Sequence, residues 1–281
     1  MFELLAKCPP AYLVLCCILG LSEGGESMKS VLLANSFLSY GTRYFYRHPT
    51  RFRELVERYR GFQRRLNVLS ALSGQTISRV EDLFDELNGE DSFFADTNGF
   101  WQIPMYAIVE YIHIRLMQPD IVVETGVENG FSSKVILYAM ERNGRGLLHS
   151  IDLPNADVED EASGFRQRSI MPPGRETGWL VPASLRSRWD LHLGDAKELL
   201  PKLLQSLGTI DIFIHDSLHS YDHMMMEFQT AWPYLRKGGV ILSDDINANR
   251  AFDNFTAEMN CQGVIFNDGS VGALRKPGQP K

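Results

Sequence analysis

Short apolar runs alternate with stretches of helical spacing from Ile121 onward, and no other feature constrains the fold as much. The runs are Ile121–Val123, Leu147–Ile151, Leu191–Leu193, Ile210–Ile214 and Val240–Leu242. Between them, Ser132–Glu141, Ala196–Leu207 and Tyr221–Leu235 read as helices. A further helix is predicted over Ile103–Met117, with Pro104 in its first turn and Pro119 stopping it. Gly208 and Gly238-Gly239 read as punctuation at helix ends. Such alternation predicts a parallel sheet with helices on both faces. The last segment departs from the rhythm: Gly263–Phe266 and Val271–Arg275, joined by Asn267-Asp268-Gly269-Ser270, read as a hairpin. The expected class is therefore α/β, a doubly wound, Rossmann-like, mostly parallel seven-stranded sheet with an antiparallel C-terminal hairpin strand and an N-terminal helical appendage.

The chain divides on composition. Its 281 residues suit one large domain with an appendage. Residues 1–27 read as an apolar extension that need not belong to the fold, because Met28 offers a second start. Ala11–Leu21 is uncharged but shorter than the ~20 residues of a membrane span. Residues 28–98 read as the helical appendage and 99–281 as the main domain, with the polar Asp91–Gly99 at the boundary. Within the appendage, residues 43–65 hold eight arginines, read as the solvated face of an amphipathic helix or, alternatively, as a contact for an anionic surface. A short helix is expected over Val80–Leu87. The net charge of -7 argues against nucleic acid as a partner. Four cysteines without C-x-x-C spacing point to a reducing, cytoplasmic setting.

The chemistry-bearing residues cluster after the predicted strands. Glu124-Thr125-Gly126-Val127-Glu128-Asn129-Gly130-Phe131-Ser132 links the first strand to a helix. Glycines there let the backbone approach a ligand, and a helix start offers free N–H groups. The spacing is neither the G-x-G-x-x-G of a dinucleotide site nor a P-loop. Asp152 follows the second strand, where α/β folds place a carboxylate for ribose hydroxyls. Asp195, in Gly194-Asp195-Ala196, follows the third; it reads as a ligand acid or as a helix N-cap. Asp216 follows the fourth strand and Asp244-Asp245 the fifth. Three clustered carboxylates repel unless a cation offsets them, and an all-oxygen set favours Mg²⁺ or another hard divalent ion. Helix and loop capping is the alternative reading of the same trio. His219 is read as a proton acceptor or as a structural histidine near a helix start. His215, His223 and Met224-Met225-Met226 read as core and helix face. The long connection Asp152–Arg188 reads as a binding loop, with Arg166, Arg168, Arg175 and Trp179 as candidate substrate contacts.

On these residues the sequence resembles the class I S-adenosylmethionine-dependent methyltransferases over residues 100–276. The resemblance implies that Glu124, Thr125, Gly126, Gly130 and Ser132 hold the methionine end of S-adenosylmethionine, Asp152 the ribose, and Asp195 with Ala196 the adenine. Asp216-x-x-His219-x-Tyr221 and Gly238-Gly239 to Asp244-Asp245 look like the catechol and caffeoyl-coenzyme A O-methyltransferases and a bacterial branch that methylates sugars and natural products. That implies a metal on Asp216, Asp244 and Asp245, with Asp245 where that branch has Asn. The branch's lysine base is not evident, and His219 with Asp216 takes the catalytic role. The implied partner is a small-molecule hydroxyl acceptor; homo-oligomers and peripheral membrane contact are left open. The alternatives are an S-adenosylmethionine-binding protein without activity, acting through its basic helix, and a nicotinamide-dependent oxidoreductase.

Overall fold

The computed structural model describes residues 77–88, 104–154, 158–160, 165–167, 171–172, 174–261, 263–266 and 270–278. The N-terminal extension, the arginine-rich helix and the expected boundary at 91–99 lie outside the described residues, as does Arg168.

The described elements begin with α1 (Ile77–Asn88) and α2 (Met105–Met117). They continue with β1 (Ile121–Thr125), α3 (Phe131–Asn143), β2 (Leu147–Asp152), β3 (Val158–Asp160), β4 (Phe165–Gln167), β5 (Trp189–Leu193) and α4 (Ala196–Leu207). Then come β6 (Ile210–His215), α5 (Tyr221–Ala231), β7 (Leu235–Ser243), α6 (Ala251–Glu258), β8 (Gly263–Ile265) and β9 (Gly272–Arg275). Seven strands form one sheet in the order β5-β2-β1-β6-β7-β9-β8. The first five are mutually parallel, and β9 runs antiparallel between β7 and β8. The expected antiparallel strand is therefore β9, with β8 outside it at the edge. Strands β3 and β4 make a separate hairpin inside the long connection.

Strand alternation sorts the sheet's two faces. Val123, Ile151, Phe213 and Ile241 enter one core with Leu200 and Leu204 of α4, Met224 and Phe228 of α5, and Phe252 and Phe255 of α6. The other face meets α3, whose Ser132 and Ser133 reach Glu124 of β1. Helix α1 is fastened by Glu86, which accepts a hydrogen bond from Tyr111 of α2 at 2.8 Å and ion-pairs Arg115 and Arg142 at 3.1 and 3.0 Å.

Two sequence readings need correction. The helix expected over Tyr221–Leu235 ends at Ala231, and Leu235 already opens β7. Gly238-Gly239 lies inside that strand, where the register against β6 shifts between Ile210 and Ile212. Gly238 has φ +75, and a Cβ on Gly239 would come within 2.7 Å of the Asp211 carbonyl, so the pair makes a bulge instead of a helix end. Gly208 does cap α4, its N–H reaching Leu204.

Candidate functional site

The strand order reverses at β1: β2 lies on one side of it and β6 on the other. Ligand crevices in open α/β sheets form at such switch points, beyond the carboxyl ends of the strands. Backbone bonds carry the ladder past those ends. Gly194 N–H reaches Asp152, Gly126 N–H reaches Ile151, Asp216 N–H reaches Thr125 and Asp244 N–H reaches His215, at 2.8–3.0 Å. Asp195, Asp152, the Gly126 turn, Asp216 and Asp244 thus follow one another along a single rim.

Their side chains do different work. Glu124 is fully buried, its two oxygens accepting from the hydroxyls of Ser132 (2.6 Å), Ser133 (2.6 Å) and Ser150 (2.7 Å). Burial pushes its carboxyl up, against those hydroxyls. Ser132 points inward at Glu124. Thr125 does so too on its own strand, donating to Glu227 at 2.6 Å. Asp152 Oδ1 accepts from the N–H groups of Val127 and Glu128 at 2.9 and 3.2 Å, and its Oδ2 accepts from Thr177 at 2.9 Å. Asp195 caps α4 by accepting from Lys197 N–H at 2.8 Å; Ala196 is the first helical residue behind it.

The turn glycines serve backbone-to-backbone packing. Gly126 has φ +86, and a Cβ there would sit 1.9 Å from the Asp216 carbonyl oxygen. At Gly130, φ +85, it would lie 2.7 Å from Gly178 Cα. Residues 178–180 clamp the turn: Gly178 N–H donates to Glu128 and Leu180 N–H to Asn129, at 2.8 and 3.0 Å. This end of the long connection is fixed to the candidate site, with Arg175 over the Trp179 ring at 4.5 Å.

At the β6 end the rim turns strongly acidic. Burial raises the Asp216 carboxyl well above the usual range, and Asp244, Glu124, Asp245 and Glu128 add to it. Glu110, on α2, is raised by burial and by Glu124, Asp216 and Asp244; its Oε2 is buried with no hydrogen-bond partner among the described residues. Tyr106, one turn earlier, is raised by burial and by Glu110 and the same aspartates. Glu110 and Tyr106 escaped the sequence reading. Their only signal was a carboxylate in the apolar first half of the helix.

His219 sits among these acids. Its Nε2 is 3.6 Å from Asp216 and its Nδ1 3.7 Å from Asp245, both too far for a hydrogen bond. Burial and the neighbouring His215 push it down to about 3, so the ring is neutral. Beneath it lies a network the sequence did not announce. Buried Glu227 meets His215 Nδ1 at 2.6 Å and His223 Nε2 at 2.9 Å, and accepts from Ser217 at 2.9 Å as well as from Thr125. Burial would raise Glu227, but the His215 and His223 rings outweigh it and hold the carboxyl far below its usual range. The i, i+4 pair His223 and Glu227 on a buried helix face was the available clue.

Carboxyls crowded beyond what water would tolerate fit a cationic guest, and the unpartnered Glu110 oxygen marks where one is needed. The sulfonium and ammonium groups of S-adenosylmethionine meet that demand. A divalent ion fits less well. Among the described residues, Asp216, Asp244 and Asp245 are not gathered around one point closely enough to share an ion, since only another trio meets that spacing.

A family described as a methyltransferase domain matches residues 123–246, which hold Glu124, Asp152, Asp195, Asp216, Asp244 and Asp245. Among solved structures, a calicheamicin methyltransferase aligns with TM-score 0.51 at 16% identity, covering 75% of this chain and 91% of that one. An O-methyltransferase from Streptomyces achromogenes involved in tomaymycin synthesis, in complex with SAM, gives 0.47 at 17% identity, over 66% and 87%. An SAH-bound methyltransferase from Podospora anserina gives 0.45 at 14% identity, over 69% and 86%. No curated protein matches the sequence. The family match falls on the strands, the turn and the acids described above, so residues 123–246 are similar to a methyltransferase domain.

Proposed function

We propose that this protein moves a methyl group from S-adenosylmethionine to a hydroxyl oxygen of a small molecule, sugar-like or natural-product-like. The observation that carries the reading is the crowding of acids at the β1/β6 switch point, where Asp216 is raised by burial and by Asp244 and Glu124, and Glu110 by burial and by Glu124, Asp216 and Asp244. The O-methyltransferase named above, with its bound SAM, supports the choice of oxygen as acceptor.

The bound cofactor supplies a methyl already activated by its sulfonium charge, so the protein's task is alignment and proton handling. Glu110 and Asp216 present negative charge to the cationic end. Asp152 and Asp195, on the β2 and β5 side of the rim, offer acceptors to the ribose and the adenine. Asp152 must then loosen its hold on Thr177, which couples the 177–181 segment to cofactor entry.

His219 accepts the acceptor's proton. Burial and the neighbouring His215 set its low basicity in the ligand-free site. A cation at the rim favours ionised Asp216, and a carboxylate 3.6 Å from Nε2 then strengthens the imidazole as a base. Divalent metal on Asp216, Asp244 and Asp245 remains an arm of the test, not a step of the mechanism. No described helix is long and apolar enough to cross a membrane; a cytoplasmic location is part of the proposal.

Calorimetry with S-adenosylhomocysteine, with and without Mg²⁺, tests the reading. Binding in both conditions supports it, and an Mg²⁺-dependent acceptor step would restore the metal. Absence of binding in both would overturn it. Asp216→Ala is expected to retain cofactor binding and lose transfer.

A further inference from the structure

A second constellation lies away from the rim acids. Residues facing alternate sides of a strand place His149 of β2, and Asp190 and His192 of β5, on the face opposite Glu124 and Ser150. The register sets Asp190 beside His149, with His192 two residues on. Asp190 Oδ2 is 3.3 Å from His149 Nδ1 and 3.2 Å from His192 Nε2. These three atoms all lie within 4.8 Å of one another.

Hydrogen bonding accounts for the arrangement only in part, since one aspartate oxygen faces two imidazole nitrogens. His149 Nδ1 and His192 Nε2 are buried atoms with no hydrogen-bond partner, although Asp190 is within reach of both. Their rings lie nearly parallel, at 21° and 6.0 Å between centroids, so both present an edge to the same oxygen. The spacing has another reading. Ligand atoms about 2.0–2.1 Å from a tetrahedral zinc ion stand roughly 3.3 Å apart. The two measured separations match that edge. Two imidazole nitrogens and a carboxylate oxygen form a borderline donor set that suits zinc and its first-row neighbours over magnesium or calcium.

We propose that His149, Asp190 and His192 form a transition-metal site, selective for zinc-like ions, that clips the edge strand β5 to β2. Three protein ligands leave the fourth position to water. Exposure grades across the site: the His149 side chain is 11% exposed, His192 31% and Asp190 61%, so an ion can enter from the sheet edge.

The site has a consequence for the rim. Asp152 ends β2, and Asp195 follows β5 by two residues, with Gly194 N–H bonded to the Asp152 carbonyl. An ion holding β2 and β5 in register fixes the spacing of the two acids assigned to the nucleoside. It therefore acts on cofactor affinity through strand position, without touching the reacting atoms.

The full chain, stripped with chelator and titrated with Co²⁺ as a spectroscopic probe for zinc, is expected to bind one ion with the visible absorption of a four-coordinate nitrogen–oxygen site. Asp190→Asn and His192→Ala should each weaken binding about 100-fold or more, given that losing even an outer-shell partner costs 10–100-fold. Zinc should raise the melting temperature of the parent protein and leave that of Asp190→Asn unchanged. Because the Asp190 side chain is largely exposed, the chelated Asn variant should melt with the chelated parent. Cobalt bound equally by parent and variants, or no ion bound at micromolar free metal, would overturn the proposal. Neither result depends on methyl transfer, so this site and the proposed function stand or fall separately.

Discussion

At the scale of single residues, the carboxyls divide into those that are satisfied and those that are waiting. Glu124 and Glu227 are saturated by hydroxyls and histidines, and hold the fold together. Asp216 and Glu110 are raised by burial and by the acids around them, and want a cation. This difference makes opposite predictions. Asp216 keeps a proton in the native state that the unfolded chain releases, so its contribution to stability falls as pH rises from the ordinary carboxylate range toward its raised pKa. Asp216→Asn should abolish that slope: thermal unfolding without ligand should show the variant melting higher than the parent at pH 7–8 and level with it near pH 4. Methyl transfer should drop at least about 100-fold in the same variant, the lower bound for a general acid–base or electrostatic group. Glu227→Gln should do the reverse. It uncouples a buried charge from His215 and His223, at a cost of about 3 kcal/mol. A chemical denaturation curve should show the loss at pH 7. Glu227 is depressed, so its contribution is present above the unfolded carboxylate pKa and is lost as pH falls, and the gap between parent and variant should narrow in acid.

At the scale of elements, the turn from β1 to α3 is tightened by its neighbours. Gly126 lets the turn touch the backbone after β6, and Gly130 lets residues 178–181 close upon it. Gly126→Ala should therefore strain φ and drive a methyl into the Asp216 carbonyl, costing more than about 2 kcal/mol. S-adenosylhomocysteine affinity, measured by calorimetry, should fall with it, because the displaced turn carries the Val127 and Glu128 N–H groups that hold Asp152. A mere loop defect would lower the melting temperature and leave affinity intact. The bulge at Gly238-Gly239 shows a different lesson. Glycines after a helical pattern suggested a helix end, but α5 stops earlier and the strand begins before them. The competing principle was tertiary: pairing with β6 extends β7 backward over residues whose local sequence reads as a break.

For the whole molecule, one sheet carries two sites on separate parts. The carboxyl ends of β2, β5, β1, β6 and β7 form the rim, while the side face at the β5 edge carries the histidine–aspartate trio. If the rim binds the cofactor, stability should follow its concentration. S-adenosylhomocysteine at 100 times its Kd should add about 2.7 kcal/mol. Hydrogen exchange should slow in residues 126–131 and 174–181 together, since their backbones are bonded to each other.

Much of this was legible from residue order alone. Apolar periodicity and the C-terminal turn signal marked the seven strands and the helices α2 to α5, because burial of one face dictates spacing whatever the partner, while α6 (Ala251–Glu258) went unread. The acids were equally visible, since Asp152 ends a strand and Asp195, Asp216 and Asp244 each sit just past one, and a parallel sheet brings such ends to one rim. Orientation was not legible. Whether Glu124 faces a ligand or three serines, whether Thr125 and Ser132 point outward or inward, and whether His149 meets Asp190 depend on strand register and on which helix lies overhead. Those contacts join residues far apart along the chain, and only the folded sheet decides them.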